Sequence, residues 1–167
     1  MRTLPSYVAM RPVQPCDEAA LVAMFERCSP ASRYARFLSP VQRMPARHLH
    51  DVLHPDGTRW SWVACDRRDG TVVALSSLFR GRGSSGEVAL LVEDAWQRHG
   101  IGTALLELAA ARACDVAIDT FIAVALTDSR HVRRMLERVG TVTSVTDGHT
   151  SEHRVQVCTA AARRATA

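Results

Sequence analysis

Apolar positions change their spacing several times along this chain, and each change marks an element. Residues 6–13 predict a short strand. From 17 to 28, Ala20, Leu21, Met24, Phe25 and Cys28 recur on one helical face, with Asp17 and Glu18 placed to favour the helix N-terminus. Ser29-Pro30 stops that helix, and 30–38 and 45–54 predict two more, the second opened by Pro45. At 59–66 the period becomes two. The turn signal Asp69-Gly70 and the run 71–80 then complete a β-hairpin. Beyond a flexible turn at 81–86, residues 87–93 are mostly apolar, the pattern of a strand buried on both faces. An Ala/Leu helix at 100–114, an apolar strand at 118–126 and an amphipathic helix at 129–139 follow, the last capped by Gly140. Two closing strands, 141–146 and 153–158, flank Asp147-Gly148. This order predicts an α/β fold, one domain over 1–167, with a mixed central β-sheet flanked by helices on both faces. Its core is expected at about 6–158, with 159–167 frayed.

Composition narrows the function classes. At 167 residues, 47% hydrophobic and 23% charged, the chain suits a single soluble globular domain. No apolar run approaches membrane-spanning length, and the N-terminus lacks a signal-peptide core, so a cytoplasmic protein is expected. All 21 basic residues are Arg and Asn is absent too, as a GC-rich bacterial genome would produce. The net charge of +4 is spread along the chain rather than focused on one stretch, which argues against a nucleic-acid footprint. The five cysteines are scattered, with no CxxC pair. That argues against a disulfide framework or a zinc site, with Cys28 and Cys114 expected in the core.

The chemistry is concentrated between Glu87 and Ala109. A buried strand there runs into a short loop, Gln97-Arg98-His99-Gly100-Ile101-Gly102, which opens a helix. Unpaired amides at a helix N-terminus carry partial positive charge, and glycines let an anion approach the backbone closely. Together they make a pyrophosphate site. A P-loop would need a Gly-Lys-Ser/Thr run, and the chain has no Lys. A dinucleotide fingerprint would need a glycine where Leu105 stands.

That loop, with its preceding strand and following helix, resembles the Q/R-x-x-G-x-G/A motif of the GNAT superfamily of N-acetyltransferases. The resemblance runs from about Val8 to Val157. Around Ser29-Pro30-Ala31-Ser32-Arg33-Tyr34 and the following ARFLS it is similar to GNAT domains related to bacterial protein-lysine acetyltransferases. The resemblance implies acetyl-CoA as co-substrate, no metal, and a direct transfer of acetyl to a primary amine in a ternary complex. It implies that amides from Arg98 through His99, Gly100, Ile101 and Gly102 to Thr103 cradle the CoA pyrophosphate, with side-chain help from Gln97 and Arg98. Leu90, Leu91 and Val92 would pair with the pantetheine arm. Glu87 falls in the slot of the general base used in part of the family; the plainer reading is a turn end facing solvent. Glu93 and Asp94 are the alternative carboxylates.

The chain also departs from the family pattern. Ser129 and Leu136 stand where many members place an Asn and, seven residues later, a Tyr acid. Ser129 is expected either to cap its helix or to bond the CoA arm, and Leu136 has no proton to give. Elsewhere, His48, His50 and His54 read as a solvated helix face, and Trp60 and Trp62 as core or as an acceptor-site wall. Arg33, Tyr34 and Arg36 read as surface or structural residues, or as contacts to an acidic substrate. The leading expectation is an acetyl-CoA-dependent N-acetyltransferase acting on a protein lysine, an N-terminal amine or a small amine. The alternatives are an acyl-CoA-binding sensor with little catalysis, and a donor larger than acetyl. A homodimer is a possible assembly; neither nucleic acid nor membrane is an expected partner.

Overall fold

Seven strands form one sheet in the computed structural model, which describes residues 5–157. They are β1 (Val8–Pro12), β2 (Arg59–Asp66), β3 (Val72–Arg80), β4 (Ser85–Val92), β5 (Thr120–Leu126), β6 (Thr141–Asp147) and β7 (Thr150–Gln156). The order across the sheet is β1-β2-β3-β4-β5-β7-β6. All neighbours are antiparallel except β4 and β5, so the sheet is mixed. The helices are α1 (Glu18–Arg27), α2 (Pro30–Phe37), α3 (Ala46–Leu53), α4 (Ile101–Asp115) and α5 (Arg130–Leu136). The expected fraying of 159–167 and the strand end at Cys158 lie outside the described residues.

Alternation along the strands sorts side chains onto two faces. On one face Val63, Cys65, Leu75 and Leu91 meet Leu21, Met24 and Phe25 of α1 and Val52 and Leu53 of α3. On the other, Leu78, Val88, Phe121 and Val155 meet Leu106, Ala109 and Ala113 of α4 and Leu136 of α5. Both clusters come from the periodicities that predicted the elements. A bidentate pair, Arg11 Nη1 and Nη2 on Asp17 Oδ2 and Oδ1 at 2.7 Å each, pins the end of β1 to the entry of α1. That arginine holds the Asp17 carboxyl below the usual aspartate range, against the opposing effect of burial.

Several expectations change. The strand expected to be buried on both faces, β4, is not: Glu87 is exposed and Ala89 and Leu90 are only partly covered. The sheet opens here, so apolar residues line a cleft rather than a sealed layer. Residues 81–86 form a closed turn rather than a flexible one, with Gly81 N–H donating to Ser85 O, Ser85 N–H donating to Arg82 O, and β4 already under way at Ser85. Cys114 is exposed, not core, and is disulfide-bonded, whereas Cys28 and Cys65 are buried thiols. The last helix ends at Leu136 rather than 139, the chain passing into turns in which Arg138 N–H bonds Met135 O and Val139 N–H bonds Leu136 O, and Leu136 itself is sealed in the core. Leu136→Ala is expected to cost about 2–5 kcal/mol, read from the midpoint of urea denaturation, since it empties a sealed site between α4 and the sheet.

Candidate active site

The parallel ladder between β4 and β5 holds for only three positions, Ser85↔Thr120, Gly86↔Phe121 and Glu87↔Ile122. Beyond Glu87, β4 keeps pairing with β3 as far as Val92, while β5 continues with β7 to Leu126. The two strands therefore diverge, and Glu87 stands where the gap begins. Glu93 N–H donates to Val73 O at 2.9 Å, which fixes the alternation of the antiparallel ladder. Leu91 points its backbone groups at β3, and Val88, Leu90 and Val92 point theirs into the gap. The Val92 carbonyl accepts from Gln97 Nε2 at 3.0 Å. Of the three residues expected to meet a pantetheine arm, Leu90 is thus the one with both backbone groups facing open space, and Leu91 is engaged with Leu75.

The gap leads to the loop before α4. Arg98 (φ 65) and Gly100 (φ 84, ψ −4) both adopt left-handed backbone. Gly100 is the N-cap and offers no side chain to the helix. The first bond of the turn runs from Ala104 N–H to Gly100 O at 3.0 Å, so the amides of Ile101, Gly102 and Thr103 have no acceptor within the helix. Gly102 allows close packing at this point, because a Cβ there would meet Met135 Sδ at 3.3 Å and Val92 Cγ2 at 3.7 Å. Arg98 and His99 are exposed beside these amides. These features fit an anionic, extended ligand: amides and a helix dipole for its charge, a strand gap for its arm.

The neighbouring carboxylates are already committed. Glu93 Oε2 accepts from Arg27 Nε at 2.9 Å. Asp94 accepts from Ser29 N–H and Ser29 Oγ at 2.7 Å and from Ser32 Oγ at 2.8 Å, tying α2 to the loop. Burial pushes the Asp94 carboxyl up, but these bonds outweigh it and leave it below the ordinary value. Gln97 Nε2 also donates to Ser32 Oγ at 3.0 Å. Its side chain therefore braces the loop instead of reaching toward a phosphate. Glu87 is the carboxylate that opens to the cleft.

That cleft has a volume of about 310 Å³ and lies over β3 and β4, under α2 and α3. Glu87, Arg36, Arg47 and His48 line it together with Phe37 and Phe79. His48 is not on a solvated face as expected. Its ring stands edge-on to Phe37 at 5.4 Å and tilts against Phe79 at 6.1 Å, while His50 and His54 stack outside at 4.4 Å. Among the described residues no group of three or more His, Cys, Asp or Glu is arranged for a metal. Burial, and secondarily the Arg36 charge, pull His48 down to about 4, with Asp51 opposing. It is therefore neutral at pH 7 and its Nε2 accepts from Arg36 Nη2 at 3.3 Å. An imidazole that must be neutral when folded stabilises the fold fully above its unfolded value of 6.5, and that contribution fades as pH falls toward about 4. Denaturant midpoints measured across this window are expected to fall with pH in the wild type and to flatten in His48→Gln.

Other candidates settle differently. Trp60 and Trp62 pack on the α4 side, with Arg112 and Arg80 over the Trp60 ring at 5.4 and 5.7 Å, so they form core and not an acceptor wall. Arg33 is structural, donating to the carbonyls of Cys28, Gln42 and Glu26. Ser129 makes no side-chain cap, so the first of its two expected roles is not realised, and it lines a polar depression with Arg130, Arg133 and His153. Sequence reasoning missed the cleft role of His48. A helical position set between Phe37 and Phe79 in space leaves no local signal.

Comparison with known proteins finds relatives of this chain and of its fold. The model of the acetyltransferase (GNAT) family matches residues 20–141. The chain is 31% identical over 139 residues to the acetyltransferase Pat of Mycolicibacterium smegmatis, covering 80% of this chain and 40% of that protein. It thus spans less than half of that curated relative. The GNAT domain of PAT from S. lividans superposes with a TM-score of 0.79 at 29% identity, covering 88% of this chain and 89% of that one. YncA of Salmonella typhimurium, solved with its cofactor acetyl-CoA, shares the fold at a TM-score of 0.71 and 17% identity, covering 92% and 95% of the two chains.

Proposed function

The chain belongs to the GNAT family of acetyltransferases, and from that premise we propose that it moves an acetyl group from acetyl-CoA to a primary amine held in the cleft at Glu87. It is an acyltransferase by family. The observation that carries the finer reading is the placement of Glu87. It stands at the mouth of the β4–β5 gap, with the unpaired amides of Ile101, Gly102 and Thr103 beyond the far end of β4. An arm laid along Leu90 from those amides would bring a thioester toward Glu87.

When bound, acetyl-CoA supplies an acetyl group activated by a thiol leaving group. The chain supplies position and proton management. The loop amides, with Arg98 and His99 beside them, hold the pyrophosphate, and Leu90 offers strand-like bonds to the arm. An acceptor amine of lysine type has a reference pKa near ~10.4 and must lose a proton to attack. Glu87, with no ion pair among the described residues, takes that proton directly or through a water. The new C–N bond forms as the C–S bond breaks. The departing thiol, with a reference pKa near ~8.5, leaves as thiolate without a dedicated acid. This accommodates Leu136, which is core. In this reading Ser129, the residue before α5, bonds the arm.

The reading has a direct test. Calorimetric titration with acetyl-CoA, followed by an amine panel under turnover conditions, should show binding and acetylated product. Binding with no product across the panel would favour the sensor alternative. The kinship with Pat makes protein lysines one part of that panel, and small amines the other. A cytoplasmic location, where acetyl-CoA is available, belongs to the same proposal. Among the described residues no helix is long and apolar enough to cross a membrane.

A further inference from the structure

Among the described residues, the arginines that pack against the body of this protein donate to carboxylates or backbone carbonyls, with one exception. Arg11 grips Asp17, Arg27 grips Glu93 and the Val72 carbonyl, Arg33 spans three carbonyls, and Arg59 holds Asp51. Arg36 does not. Its guanidinium carbon lies 4.8 Å from the centre of the Phe37 ring, and one of its five N–H donors reaches neutral His48. Among the described residues no carboxylate comes within ion-pair distance of it. Burial pulls it down to about 10, with the Glu87 charge across the cleft opposing. A cation withdrawn from water without a partner is costly, and the cost is relieved when a ligand brings the missing charge.

The surrounding charges say what that ligand carries. Asp51 is neutralised by Arg59 at 2.9 Å, so Glu87 is the free anion of the cleft. Arg47, exposed at the rim, adds a second cation with no ion pair among the described residues. A simple ammonium ion entering here would meet Glu87 but also two uncompensated arginines. A molecule with both charges satisfies the whole site: its amine lies toward Glu87 and its carboxylate takes the planar fork of Arg36, a geometry guanidinium favours. The cleft, at about 310 Å³, is at the lower end for small-molecule sites, and Phe37 and Phe79 supply apolar walls.

We propose that the acceptor is a small primary amine carrying a carboxylate beside it, as an α-amino acid does, and that Arg36 holds this carboxylate while Glu87 faces the amine. The inference rests on the acetyltransfer reading above. A peptide lysine brings no carboxylate on the same side chain and leaves Arg36 unpaired, so it is the less favoured occupant.

The test uses matched acceptors at saturating acetyl-CoA: phenylalanine and leucine, each against the amine that remains when its carboxyl is removed. The members of each pair differ in the group Arg36 would bind, and their difference in basicity is the same for wild type and variant, so it cancels when the two ratios are compared. The wild type is expected to prefer the amino acid by about 10²-fold in kcat/KM, the scale of a lost charge-assisted pair. In Arg36→Gln the preference should fall to within a few-fold, with the loss carried by KM for the amino acid, and Arg36→Lys should restore part of it. Reading the ratio within one preparation removes any effect of the variant on folding or on Glu87. Equal use of both members by the wild type, an unchanged ratio in Arg36→Gln, or turnover confined to lysine peptides would each overturn the inference and leave acetyltransfer standing. A protein that binds acetyl-CoA but acetylates no amine would instead overturn the acetyltransfer reading, and this inference with it.

Discussion

Glu87→Gln is expected to lower kcat by about 10²–10⁴-fold while leaving acetyl-CoA affinity as in the wild type. Glutamine preserves the size and hydrogen-bonding shape of the side chain but cannot accept the amine proton. The loss should therefore appear in turnover and not in donor binding, which depends on the loop after β4. It should also depend on pH. Raising the pH increases the fraction of free amine, so the variant should gain more from alkaline conditions than the wild type, whose base already does that work. The paired alternatives sharpen the test. Glu93 and Asp94 are held by Arg27, Ser29 and Ser32, so neither is available to substitute. A Glu87→Gln enzyme with wild-type turnover would remove the proposed base.

Gly100→Glu should abolish useful acetyl-CoA binding, weakening it by about 10³–10⁴-fold. Two effects add. At φ 84 a side chain meets the left-handed penalty, which is roughly 1–2 kcal/mol. More important, the new carboxylate stands beside the amides of Ile101, Gly102 and Thr103, where a pyrophosphate is expected. Like charges about 4 Å apart near a protein surface repel by roughly 4 kcal/mol, and each 1.4 kcal/mol is about tenfold in affinity. Gly100→Ala separates the two contributions, because it keeps the strain and omits the charge; it should cost no more than about tenfold. Calorimetric titration of both variants reads the difference directly. Similar losses in both would mean that backbone shape alone governs the loop.

Much of the fold was legible along the chain because its elements obey local periodicity. The face of α1 is Leu21, Met24 and Phe25, spaced as a helix requires, and all three are sealed. The hairpin of β2 and β3 follows from alternation and the turn at Asp69-Gly70. The loop at Gly100 was legible too, since glycine spacing at a helix entry is a short-range property. Burial of β4 was misjudged for a physical reason. An apolar strand next to a ligand gap has the same composition as one sealed in a sheet, and no residue within it reports where its neighbour diverges.

What the amino-acid order determined by itself is the set of elements, the two apolar faces and an anion-binding turn before α4, because each depends on contacts a few residues apart. Tertiary structure alone decided which charged groups are free. Glu87, Glu93 and Asp94 are alike in chemistry and close in sequence. Arg27 and Ser29, more than sixty residues earlier, take two of them and leave the third open to the cleft. Arg36 and Arg33 are likewise three positions apart on one helix, yet Arg33 meets three carbonyls while Arg36 meets one neutral ring. Whether a charge is spent on the fold or kept for a ligand depends on partners brought together by folding over long sequence distances, and no local pattern encodes them.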